Sequence, residues 1–283
     1  LDSGLTTRWT DRTTKPKVAI PSPAPEVVRV PSFDGLSIPA LVYHPDAKKF
    51  PGRRPVLMIF HGGPEGQSRP GYRGSFHFYL NELGVALVYP NVRGSTGYGR
   101  RYLALDDGLK REDAIKDVAA ALDWVAKSDR LDASRVAAYG GSYGGFMSLA
   151  CLVNYPERFR CGVDNVGIAN FATFLRDTSD YRRGARRLEY GDERKPEVKA
   201  FLDRISPANH ADRIRDPLLI VQGRNDPRVP YTEAERMRDA VKAQGGTVWY
   251  VLAKDEGHGF VKKSNADYQF AATILFLRTH LLD

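Results

Sequence analysis

Two cysteines in 283 residues, Cys151 and Cys161, are too few for a disulfide framework and lack metal-ligand spacing, so both are expected to be small buried thiols. No stretch approaches the roughly 18 to 20 uncharged apolar residues of a membrane-spanning helix. The longest pure apolar runs, such as Val56-Leu57-Met58-Ile59-Phe60, suit buried strands instead. There is no internal repeat and no low-complexity tract, which excludes a repeat array. Clustered ligands and a dinucleotide fingerprint are also missing, so neither a metal nor an organic cofactor is expected. Residue 1 is Leu, and no basic segment followed by an apolar run opens the chain. A targeting signal has therefore been removed or never existed; the expectation is a soluble chain, with the cytoplasm slightly favoured.

What is present is an ordinary globular composition, 42% hydrophobic, with a formal charge of +8. The densest basic cluster, Arg182, Arg183, Arg186 and Arg187, stands beside Asp177, Asp180, Glu189, Asp192 and Glu193. The local field is mixed, which predicts a solvated or interdomain face and argues against nucleic-acid binding. Leu1 to Pro25 is polar and aperiodic and reads as an arm or linker ahead of a domain over residues 26–283. Val27 to Val30 and Ile38 to Tyr43, separated by Asp34-Gly35, read as an antiparallel hairpin. Strand-like runs then alternate with helical patterns: Val56 to Phe60, Val85 to Tyr89, Val136 to Tyr139, Gly162 to Val166, Leu218 to Val221 and Val248 to Leu252. That alternation predicts an α/β fold with a mostly parallel central sheet and helices on both faces. Ile115, Val118, Leu122 and Val125 mark one helical stripe. Thr232 with Glu235 forms a capping-box signature opening a helix that Gly245-Gly246 closes. A last helix is expected to hold Tyr268, Ala272 and Leu275 on one face.

Gly140-Gly141-Ser142-Tyr143-Gly144-Gly145 lies between a strand and an apolar helical stretch. It is a G-x-S-x-G elbow, whose strained turn leaves no room for side chains two positions either side of the serine and exposes its hydroxyl. A glycine-rich phosphate loop is the competing reading, but no Lys follows it. A serine needs a base, and the base a carboxylate to fix its tautomer. Asp226 follows the strand Leu218 to Val221, and His258 follows Val248 to Leu252, flanked by Gly257 and Gly259. The spacings are 84 and 32 residues. His44, His61 and His77 precede the serine, His210 precedes the acid, and His280 falls within the last helix. Asp216 and Asp255 compete with Asp226, but the first precedes its strand and the second adjoins the histidine loop. Two amides should bind the oxyanion: that of Tyr143, after the nucleophile, and that of Gly63 in His61-Gly62-Gly63-Pro64, whose bland reading is a strand-ending turn.

Those motifs, with Asn91-Val92-Arg93-Gly94-Ser95-Thr96-Gly97-Tyr98-Gly99, Asn225-Asp226-Pro227-Arg228-Val229 and Glu256-Gly257-His258-Gly259-Phe260, come in an order that resembles the catalytic domain of the prolyl oligopeptidase family of serine peptidases. Within it the chain is most similar to acylaminoacyl peptidases and their bacterial relatives. The resemblance runs from about Val27 to the C-terminus and implies an α/β-hydrolase fold. It implies that Arg228 hydrogen-bonds a substrate carbonyl, and that Val166, Phe171, Phe174 and Tyr181 wall an apolar pocket; each of the four is otherwise an ordinary core residue. Some relatives carry tyrosine where this chain has His61, so here the Gly63 amide has to suffice. Full-length members usually carry an N-terminal β-propeller, and Leu5-Thr6-Thr7-Arg8-Trp9-Thr10 resembles its closing strand, which suggests a fragment or a truncated relative.

The expected reaction is hydrolysis of short or N-acylated peptides through an acyl-enzyme on Ser142. A carboxylesterase acting on short-chain esters is the nearest rival, and a catalytically inert binding module of the same fold is the rival from another class. A small peptide or ester is the expected partner, with no nucleic acid or membrane, and a homo-oligomer is compatible with the reading.

Overall fold

The computed structural model describes Thr7 and residues 22–283. Most of the expected arm, and the segment likened to a propeller strand apart from Thr7, lies outside the described residues. Eight strands form one sheet: β1 (Glu26–Pro31), β2 (Ser37–Tyr43), β3 (Arg54–Phe60), β4 (Ala86–Pro90), β5 (Leu131–Gly141), β6 (Cys161–Asn165), β7 (Leu218–Gly223) and β8 (Val248–Ala253). Their order is β1-β2-β4-β3-β5-β6-β7-β8. Strand β2 runs antiparallel to both neighbours, and β3 to β8 are mutually parallel. All eight expected strands are therefore present, joined by helices α1 (Phe76–Asn81), α2 (Arg100–Leu103), α3 (Arg111–Lys127), α4 (Tyr143–Asn154), α5 (Phe171–Asp177), α6 (Asp180–Tyr190), α7 (Pro196–Ile205), α8 (Tyr231–Ala243) and α9 (Lys263–Leu277).

The sheet is buried on both faces, and the period-2 geometry of a strand sends alternate residues to two separate cores. Val56, Met58 and Phe60 of β3 join Ile115 and Val118 of α3, Phe146 and Leu149 of α4, and Met237 of α8. Leu57 and Ile59 pack on the other side with Leu80 of α1 and with Phe276 and Leu277 of α9. Helices thus cover both faces, as the alternation of runs predicts. Both cysteines are buried thiols. Among the described residues no helix is long and apolar enough to cross a membrane.

Two local expectations fail. The capping box does not form: Pro230 precedes α8, Thr232 lies inside the helix, and Glu233 is drawn into the core to accept from the Asn170 amide at 2.7 Å. On α9, Tyr268 and Leu275 face solvent, 66% and 57% exposed. The helix instead presents Phe270, Thr273, Ile274 and Leu277, an i, i+3, i+4, i+7 set, toward the second core.

The hairpin is fixed to the helical layer by one buried cation. Arg93, 3% exposed, donates from its backbone and side chain to Asp117 of α3 at 2.8–3.0 Å. The same guanidinium reaches Asp34 in the β1–β2 turn at 3.1 Å, and Ser32 donates to Asp117 at 2.6 Å. Removing a partner from a buried pair strands the remaining charge, a loss of about 3–5 kcal/mol. Arg93→Ala is therefore expected to lower unfolding stability by about that amount, read from urea midpoints; an unchanged midpoint would show that water replaces the guanidinium.

Candidate active site

Parallel strands bring their C-terminal ends to one edge of the sheet, and the loops that leave that edge build the site. Ser142 follows β5 at φ 59°, ψ −121°, a left-handed conformation that side chains disfavour. Its amide donates to Asn165 O at 2.9 Å, and its carbonyl accepts from Phe146 at 3.1 Å, so the turn is tied to β6 and to α4. The flanking glycines are required sterically. A Cβ on Gly140 would collide with the Gly144 carbonyl, and one on Gly144 with the carbonyl of Phe60. A Cβ on Gly145 would stand 2.6 Å from Gly167 Cα. The elbow is thus present as the sequence predicts.

The loops after β7 and β8 are joined to each other. Arg224 N donates to Ala253 O and Asn225 N to Glu256 O, both at 2.9 Å. Gly223 permits this approach, since any Cβ there would overlap the Gly257 carbonyl. Asp226 Oδ2 lies 2.7 Å from His258 Nδ1, and Oδ1 accepts the amides of Arg228 and Val229 at 2.8 and 3.0 Å. The buried Gln222 amide donates to Val229 O and Asp226 Oδ2 at 3.2 and 3.4 Å. The carboxylate side chain is fully shielded, and the imidazole is 12% exposed. Because Asp226 accepts from Nδ1–H, Nε2 is left as the basic nitrogen. The glycines around His258 serve a fixed turn rather than freedom of movement: Gly259, at φ 104°, donates to Gly257 O at 2.9 Å. Glu256 clamps the same loop by accepting from Lys262 N and Asn265 Nδ2, each at 2.9 Å. The competing carboxylates lie elsewhere: Asp255 pairs with Lys262, and Asp216 precedes β7 at the opposite edge. The Ser142 hydroxyl and His258 form no direct hydrogen bond in this structure; such links commonly tighten only when substrate arrives.

The loop after β3 approaches the serine from the other side. A Cβ on Gly62 would stand 3.4 Å from that of Ser142. Among the described residues neither the Gly63 nor the Tyr143 amide donates a hydrogen bond. A free N–H at the first position of α4 is ordinary, and that of Gly63 lies on an exposed loop residue open to an incoming group. His61 is engaged elsewhere than at Ser142, with Nε2 2.8 Å from Ser95 Oγ, and burial pushes its imidazole below the usual range. The Asn91–Gly99 motif braces this loop: Asn91 exchanges bonds with Ser68 at 2.7 and 2.9 Å, and Thr96 N donates to Gly66 O at 2.9 Å.

Arg228 is exposed, and its guanidinium has no partner among the described residues. Of the four pocket candidates, Val166 leaves β6 in a left-handed conformation, φ 49°, costly for a β-branched residue. Phe171 is fully enclosed and Phe174 nearly so; Tyr190 meets the first ring at a tilt and the second edge-on. Tyr181 is 76% exposed and is not a core residue, because it lies on the outer side of α6. Sequence reasoning missed Asn165, Gln222, Glu256 and Asp164, whose roles depend on contacts between distant segments.

The sequence profile of the prolyl oligopeptidase family matches residues 72–283. The chain belongs to the prolyl oligopeptidase family. It is 38% identical over 228 residues to the dipeptidyl aminopeptidase BIII of Pseudoxanthomonas mexicana, covering 79% of this chain and 33% of that enzyme. The human acylamino-acid-releasing enzyme is 29% identical over 93% of this chain and 36% of its own length. A puromycin-hydrolyzing peptidase of Mycobacterium tuberculosis superposes with a TM-score of 0.85 at 27% identity, over 91% of this chain and 39% of that one. The chain therefore spans about a third of the curated relatives' length.

Two tests follow for this family member's elbow. Gly144→Ala should shift strand β3 against the helix and lower stability by about 1–3 kcal/mol, seen as a reduced melting temperature. Asp164 is wholly buried behind Gly145 and Gly167, and burial pushes its carboxyl up to about 7 from 3.8. Between those values the folded chain keeps a proton that the unfolded chain has released, so stability falls as pH rises through that window. Asp164→Asn should remove this part of the slope, as measured by urea unfolding at a series of pH values.

Proposed function

We propose that this domain hydrolyses short peptides, N-acylated ones included, through an acyl-enzyme on Ser142. The observation that carries the reading is the Asp226–His258 pair at 2.7 Å, held by loops at the same sheet edge as the strained Ser142. In the proposed reaction Ser142 Oγ attacks the scissile carbonyl while His258 Nε2 takes its proton. Asp226 holds the ring by Nδ1–H and stabilises the imidazolium that forms. The free amides of Gly63 and Tyr143 receive the oxyanion; a single such donor contributes about 3–4 kcal/mol to the barrier. The tetrahedral centre collapses, His258 protonates the departing amine, and water repeats the sequence on the ester. Arg228 supplies a donor for a substrate carbonyl, consistent with its unpaired guanidinium. Val166 and Phe174 are proposed for the apolar pocket, with Phe171 supporting it from behind and Tyr181 at its outer rim.

Relatives named as a dipeptidyl aminopeptidase, an acylamino-acid-releasing enzyme and a puromycin-hydrolyzing peptidase favour a peptidase reading over an esterase one. The resemblance implies a β-propeller in full-length members, so the activity proposed is that of the catalytic module.

Ser142→Ala should abolish both fluorophosphonate labelling and hydrolysis of aminoacyl anilides while leaving the melting temperature unchanged or higher. Asp226→Asn should lower kcat by about ten-thousandfold, since the ring then loses its tautomer. A wild-type chain that cleaves nitrophenyl esters but is blind to anilides would defeat the peptidase reading in favour of an esterase.

A further inference from the structure

Helix α6 spans the site. At its start the Ser179 hydroxyl donates to Pro227 O at 2.6 Å and Thr178 Oγ1 to Arg228 O at 2.8 Å, in the loop of the acid. At its end the Tyr190 hydroxyl and Arg186 Nη1 both donate to Gly63 O, at 3.3 and 3.2 Å, in the loop proposed to bind the oxyanion. The four arginines of this helix divide into two pairs. Arg183 is used structurally, donating to Leu175 O and Thr178 O at 3.0 Å, and Arg187 is paired with Glu193 and Asp192. Arg182 and Arg186 are different. The Nε of each is shielded from water and has no acceptor.

The guanidinium of Arg182 has no hydrogen-bonding or ion-pair partner among the described residues. Arg186 donates to Gly63 O, lies 5.8 Å from the centre of the Tyr190 ring and has Glu65 only at 3.8 Å. Arg182, Arg186 and Tyr190 are spaced i, i+4, i+8 and share one face of α6, the face that meets Gly63. Arg182 stands about 6 Å back along the axis toward the acid loop. Neither guanidinium charge is matched by a close carboxylate, and two such cations on one face beside the proposed reaction centre form a site that an anion completes.

We propose that Arg182 and Arg186 form a carboxylate subsite, so that the preferred substrates carry an anionic group within a residue or two of the scissile bond. The inference rests on the peptidase reading above. Two sources offer the same chemistry: a free peptide C-terminus, or the side chain of Asp or Glu. A planar carboxylate accepting two guanidinium bonds fits either source.

The test uses the 283-residue chain and N-acylated peptides in matched pairs. One pair ends in a free carboxylate or its amide; the other, ending in amide, carries Glu or Gln beside the cut. One anionic member should exceed its neutral twin in kcat/KM by about 10- to 100-fold, the worth of a charge-assisted contact, with the difference mainly in KM. The pair that shows it identifies the source. Arg182→Met should bring that ratio close to one, and Arg182→Lys should restore part of it. Equal rates within both pairs, or a ratio that survives in Arg182→Met, would overturn the subsite. Fluorophosphonate labelling of Ser142 on the same samples separates the two claims. A chain that takes no label sinks the hydrolase reading and the subsite together; a labelled chain without anion preference sinks the subsite alone.

Discussion

The backbone of Ser142 is the constraint on which the surrounding structure depends. A left-handed serine costs of the order of 1–3 kcal/mol, and it persists only where neighbours leave no alternative. Here the amide is held by Asn165 O and the carbonyl by Phe146 N, so β6 and α4 together fix both sides of the residue. The requirement spreads outward as a demand for missing side chains. Gly140 and Gly144 clear the turn itself, Gly144 also clears Phe60 of β3, and Gly145 with Gly167 clears the buried Asp164. One strained residue thereby dictates glycine on strand β5, on helix α4 and in the loop after β6.

The other half of the site is built from hydrogen bonds rather than from strain. Asp226 receives two backbone amides on one oxygen and the imidazole on the other, so its position follows from the loop that carries it. That loop is in turn bonded to the one bearing His258, through Arg224, Asn225 and the close approach at Gly223. Asp226 and His258 are therefore held together as a unit. Among the described residues no comparable bond joins this unit to the Ser142 hydroxyl, and a substrate lying across both is what would align them.

The strands were legible because parallel strands buried on both faces appear as short apolar runs, and all eight were expected within a few residues of where they lie. The fixed order of nucleophile, acid and base made Ser142, Asp226 and His258 legible as candidates, and the pairing of the last two follows it. Local pattern misleads where tertiary contacts compete with it. Thr232 and Glu235 have capping-box spacing, yet Pro230 starts the helix and Glu233 is taken by Asn170 and Thr173. Tyr268 and Leu275 are apolar, yet the sheet meets a different face of α9. The arginine cluster reads as a mixed surface when charges are counted along the chain. Only the fold separates Arg183 and Arg187, whose Nε atoms find acceptors nearby, from Arg182 and Arg186, whose Nε atoms do not.

The same limit applies to Arg111, to which sequence reasoning gave no role. It is fully buried, with its guanidinium 5.2 Å from the Tyr143 ring and 4.9 Å from that of Tyr190. Asp106 and Glu189 both accept from it. A buried ion pair of this kind is weak support for stability, since apolar residues of equal volume often serve as well. Its value is positional. Tyr143 carries one proposed oxyanion donor in its own backbone, and Tyr190 holds the carbonyl of the residue that carries the other. A planar cation packed against both stacked rings braces the two supports together, and amides that must meet a developing charge within a fraction of an ångström require such bracing.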